Sequence, residues 1–91
     1  MTYAEFENII LMADRMIASN DVKKSEYGRG YQCGIREYFD NGQQEAFLDH
    51  YFIAEIARRN RSRHVHAYAR GYTDGCKGLD LDMNVSFPYL K

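Results

Sequence analysis

The sequence has no tryptophan, one proline and two cysteines among its 91 residues. Two thiols make no disulfide framework, so the fold does not lean on cross-links as small secreted scaffolds do. Cys33 and Cys76 are expected as buried, reduced thiols. No apolar run approaches the roughly 20 residues that a membrane-crossing helix needs, so no membrane partner is expected. Glu5 and Glu7 stand where a signal peptide would carry basic residues, and the expected location is the cytoplasm of a bacterial or virus-infected cell. Net charge is −1, which excludes a global electrostatic footprint for nucleic acid. The charge is nonetheless uneven. Residues 1–50 carry nine acids and five bases, and residues 51–91 carry four acids and seven bases. Such asymmetry orients a partner or favours self-association, so a homodimer is one expectation.

Catalytic sets are missing as well. His64 and His66 stand two apart, whereas ligands on one helix face stand three or four apart. His50 follows Asp49 among aromatic residues and reads as a hydrogen-bonded interior histidine. Asp80-x-Asp82-x-Asn84 opens like a calcium loop but lacks its sixth-position glycine and closing glutamate. Asn60-Arg61-Ser62 is a glycosylation sequon by letter only. There is no phosphate-binding loop and no dinucleotide fingerprint. The chain is therefore expected to be no enzyme and to use neither cofactor nor metal.

What the chain does have is tyrosine and glycine, eight and seven residues respectively, with five phenylalanines. They are organised by a phrase that occurs twice: Tyr27-Gly28-Arg29-Gly30-Tyr31-Gln32-Cys33-Gly34-Ile35, and Tyr68-Ala69-Arg70-Gly71-Tyr72-Thr73-Asp74-Gly75-Cys76, 41 residues later. On a helix, Tyr27 and Tyr31 share a face, as do Tyr68 and Tyr72, Gly30 and Gly34, and Gly71 and Gly75. A helical glycine costs about 1 kcal/mol relative to alanine, so four in matched places need a compensating gain. Grooves without Cβ atoms supply one by letting another helix come close. The expectation is that these two helices cross at their glycines, with tyrosines on either side. The alternative is that the grooves receive a helix of another chain.

Thr2-Tyr3-Ala4-Glu5 is a capping box, and Phe6, Ile9, Ile10, Ala13, Met16 and Ile17 follow as one apolar stripe. They predict a helix over about 3–18. A second helix starts near Asp21 or Ser25, carries the first phrase and stops at Asp40-Asn41-Gly42. A third is predicted over about 43–59, with rows Phe47, Tyr51, Ala54 and Leu48, Phe52, Ile56. A fourth runs over about 63–77 with the second phrase, ended by Gly78. Leu79, Leu81, Met83, Val85 and Phe87 then alternate with polar residues, the period of an extended strand. That segment packs along the helices, pairs with a second copy or adds to a target. The fold class expected is all-α: one domain over 1–91, a compact four-helix bundle with two pseudo-repeated Gly/Tyr helices and an extended C-terminal arm over 79–91.

Arg29-Gly30-Tyr31-Gln32-Cys33-Gly34-Ile35 resembles the first motif of ribosome modulation factor, a small helical protein family of the bacterial stationary phase. Tyr68 to Gly75 is similar to the family's second aromatic-x-x-Gly-aromatic motif. The chain is longer than that family and nearly neutral. The resemblance implies a related helix-pair core and, as one reading, ribosome or RNA binding.

Arg58, Arg59, Arg61 and Arg63 form the one dense charge cluster, suited to a helix C-terminus, to phosphates or to an acidic protein surface. With Arg29, Arg70, Tyr27 and Tyr68 they are the candidate contact residues. The partner expected is a larger host protein or ribonucleoprotein complex, with RNA contacted through the arginines. Small proteins of phages and mobile elements that inhibit host machines, CRISPR complexes among them, set the pattern for this expectation.

Overall fold

The computed structural model describes residues 1–45, 53 and 55–84. Helix α1 covers Tyr3–Ile17, α2 Val22–Asp40, α3 the helical residues 53 and 55–59, and α4 Arg63–Cys76. Among the described residues there is no strand, and the molecule is all-α.

The start of α1 follows its letters. Glu5 N–H donates to Thr2 Oγ1 at 3.1 Å, and Thr2 N–H donates to Glu5 Oε1 at 3.0 Å. These bonds from Thr2 hold the Glu5 carboxyl below the usual carboxylate range. The apolar stripe faces α2: Ala13 and Met16 are buried, and Phe6, Ile9 and Ile10 pack on the same core. Phe6 stacks on Phe39 with ring centroids 4.4 Å apart. Gln32, buried on α2, donates to Ile10 O at 3.0 Å and to Asp14 Oδ1 at 2.5 Å. One amide thus fixes the two helices against each other.

The centre of the molecule is the seam between α2 and α4. A Cβ built on Gly30 would collide with Tyr68 O, and one on Gly71 with Tyr27 O. One on Gly34 would collide with Tyr72 O, and one on Gly75 would lie 2.6 Å from Tyr31 O. Each obstacle is backbone, which cannot rotate aside. The contacts are reciprocal, each glycine meeting the carbonyl three residues before its counterpart. They advance together along both helices, so α2 and α4 run parallel. The glycine α-hydrogens face carbonyl oxygens, an arrangement worth about 0.5–1 kcal/mol per contact. Tyr27, Tyr31, Ile35 and Cys76 are fully buried beside the seam. This close approach is the gain that four helical glycines require.

Both phrase helices end in the same way. Gly42 and Gly78 follow the C-caps Asn41 and Lys77 at φ 67° and 70°. Gln43 N–H then reaches Tyr38 O, and Leu79 N–H reaches Asp74 O, each at 2.9 Å. These are the six-to-one bonds of a Schellman motif, which needs a left-handed residue where glycine stands.

Three expectations change. Gln43 does not begin a helix: its φ is 61°, and residues 44 and 45 are irregular. It is held by the amino terminus instead, which donates to Gln43 Oε1 at 2.8 Å while Gln43 Nε2 donates to Met1 O at 2.7 Å. Cys33 is exposed and only Cys76 is buried. Residues 79–84 form no strand despite their alternation. They turn back over the seam: Leu81 packs on the core, Tyr31 Oη donates to Leu79 O at 2.7 Å, and Asp82 N–H donates to Tyr27 Oη at 3.1 Å. The rows through Phe47, Leu48, Tyr51, Phe52 and Ala54, His50, and the arm beyond Asn84 lie outside the described residues.

Candidate functional site

The eight candidate residues separate into an interior group and a surface group. Tyr27 belongs to the interior: it is fully buried, and its hydroxyl donates to Asp74 Oδ2 at 2.7 Å. Burial and then the bond to Asp74 push its ionisation far up. Asp74 is itself buried and takes Arg70 Nε at 3.3 Å, while Arg70 Nη2 lies 3.9 Å from Asp82 Oδ2. Tyr27, Arg70, Asp74 and Asp82 are therefore one network that ties α2, α4 and the C-terminal segment. Tyr27 is withdrawn into the interior, whereas Arg70, with its side chain 33% exposed, is engaged by Asp74 and Asp82.

Arg58, Arg59, Arg61 and Arg63 are all exposed. Arg58 Nη2 and Arg59 Nη2 bind Glu55 Oε1 at 2.6 and 3.1 Å. The hydrogen bond from Arg58 holds the Glu55 carboxyl below its ordinary value, and Glu55 raises Arg58 in turn. Among the described residues neither Arg61 nor Arg63 has an ion-pair partner. They flank Ser62, the N-cap of α4, which makes no side-chain capping bond. Asn60 shapes this corner by accepting Ser62 N–H at 2.8 Å through Oδ1, and its carbonyl lies 2.6 Å from His66 Nε2.

Tyr68 and Arg29 lie on a different side of the seam. Tyr68 is half-buried, and its hydroxyl is pushed up to about 12, first by burial and then by the nearby Cys33 thiol. It lines an apolar cleft of about 290 Å³ with Glu26, Ile53, Ile56, His64 and Val65. Arg29 is 57% exposed and stands 3.8 Å from Glu26. A smaller cleft, about 220 Å³, lies between Arg15, Met16, Ser19, Lys24 and Met83.

The sequence signal missed the internal network and both clefts. Asp74 occupies a variable place of the phrase, and nothing local marks it as the acceptor for Tyr27. Among the described residues no three His, Cys, Asp or Glu gather as metal ligands would, and no helix is long and apolar enough to cross a membrane. Comparison with protein-family models, with curated proteins and with solved structures finds no match for this chain.

Proposed function

We propose that the protein is a non-enzymatic binding module that occludes or modulates a larger protein or ribonucleoprotein machine through the corner formed by Arg58, Arg59, Arg61 and Arg63. The observation that carries this reading is the exposure of all four arginines at the corner between α3 and α4, two of them without an ion pair among the described residues. Buried side-chain N and O atoms among the described residues all have hydrogen-bond partners. Arginine forks suit carboxylates and phosphates, and desolvated arginines are frequent anchors of interfaces. A host defence assembly such as a CRISPR complex is a target of this type.

The test is co-purification of tagged full-length chain from a bacterial lysate, beside an Arg61→Glu/Arg63→Glu variant. A stoichiometric protein partner held by the wild type and lost by the variant is expected. Recovery of no such partner counts against the reading.

The arginine corner and the likeness of the repeated phrase to ribosome modulation factor support a second reading, a ribosome or RNA binder. Binding would then fall steeply with salt, because phosphate contacts release counterions. Absence from ribosomal fractions at low salt removes it.

A further inference from the structure

We infer that the cleft beside Tyr68 receives an extended segment of the partner, with apolar side chains at alternate positions and a carboxylate between them that pairs with Arg29. The inference rests on the reading of the chain as a binding module. On the other side of the molecule the corresponding tyrosine and arginine, Tyr27 and Arg70, are covered by the chain's own residues 79–83.

The 41-residue offset relates more than the phrase. It relates the N-caps Asp21 and Ser62, and the buried residues Met16 and Ala57 in the last turns of the preceding helices. It relates Tyr27 to Tyr68, Arg29 to Arg70, and Cys33 to Asp74. Tyr27 bonds Asp74 across the seam, and the offset pairs Tyr68 with Cys33, which stands near its hydroxyl, in the same way. The two clefts correspond as well: Arg15 and Lys24 line the first where Ile56 and Val65 line the second.

Beside the first cleft, which stays open with Met83 on its wall, the chain covers Tyr27 and Arg70 with its own segment. Residues 79–83 run over Tyr27 and Tyr31, with Leu81 on the core, Met83 in the cleft wall, the Asp82 amide on the Tyr27 hydroxyl and the Asp82 carboxylate toward Arg70. At the second cleft the receiving groups recur with no such segment on them among the described residues. The hydroxyl of Tyr68 replaces that of Tyr27, and Arg29 replaces Arg70. The walls are more apolar, because Ile56 and Val65 stand where the first cleft has charges, and Ile56 is 45% exposed. Apolar surface of this kind gains on burial at about 25 cal/mol per Å². The chemistry that fits is the one already used once: a stretch such as Leu-Asp-Leu-Asp-Met, main-chain N–H to the tyrosine and carboxylate to the arginine. Glu26 on the rim sets the register, since it excludes a second acid from its end of the cleft.

The probe is a synthetic peptide copying residues 79–84, titrated into isotope-labelled full-length protein and followed by NMR. Saturable shift changes at Arg29, Ile56, Val65 and Tyr68 are expected. Binding should weaken at least about tenfold in Ile56→Arg, which restores the residue type of the first cleft at an exposed position, and by a smaller factor in Arg29→Ala. No change at about 1 mM peptide overturns the inference. So do changes confined to the Tyr27–Met83 cleft, a dimer of the chain formed through Tyr68, or contacts from residues 85–91 to Tyr68. The titration involves no lysate, so its failure is separable from failure of partner capture through the arginine corner.

Discussion

A tyrosine hydroxyl buried in a protein keeps its proton, because the phenolate would be stripped of water. Tyr27 and Tyr31 both lie wholly inside, and burial drives both ionisations well above the ordinary tyrosine range. For Tyr27 the neighbouring Asp74 adds to this, and for Tyr31 the charges of Asp80 and Asp74 do. The unfolded chain releases these protons near pH 10 while the folded chain holds them. Folded-state values raised in this sense contribute stability that is complete below pH 10 and is lost as pH climbs above it. The slope is about 1.4 kcal/mol per pH unit for each tyrosine. Urea denaturation at pH 9 and pH 11 should therefore differ by about 2–3 kcal/mol, with the lower stability at pH 11. A Tyr27→Phe/Tyr31→Phe variant should be less stable at pH 9 but lose much less between the two pH values. An unchanged slope in the variant would show that these hydroxyls do not control alkaline stability.

At the scale of elements, ends are better written in the sequence than middles. Thr2 and Glu5 form both bonds of the capping box, whereas Ser62 caps α4 without a side-chain bond. Thr2→Ala should cost about 1 kcal/mol and lower the melting temperature by roughly 4–8 °C. Ser62→Ala should stay within about 0.5 kcal/mol of wild type, both read by circular dichroism. The same locality explains what was legible. Caps, glycine stops and the stripe of α1 are decided within a turn or two, and their bounds were readable from Thr2, Asp21, Gly42 and Gly78. Gln43 was not, because its conformation answers to the Schellman turn before it and to the amino terminus, 42 residues away in the chain. The alternation after Gly78 suggested a strand because period two also suits a segment laid over a seam, one side inward. Of the candidate site, the exposed arginine corner was readable as a charge cluster. The placement of Tyr27 inside, against Tyr68 on a cleft, was not, because similar phrases receive different neighbours once the chain turns back at Leu79.

For the molecule as a whole, two parallel helices in backbone contact are the frame on which α1, the C-terminal segment and the arginine corner are set. The sign of one substitution effect tests that frame. A glycine in a solvent-facing helix gains about 1 kcal/mol on becoming alanine. A glycine against backbone loses, because a methyl group forces the helices apart; overpacking of this kind costs about 1–3 kcal/mol or more. Chemical denaturation of Gly30→Ala, Gly34→Ala, Gly71→Ala and Gly75→Ala, each beside wild type, is the measurement. The account predicts that all four are destabilised, by about 2 kcal/mol or more where the obstacle is a carbonyl oxygen. Four variants as stable as wild type, or more stable, would contradict it.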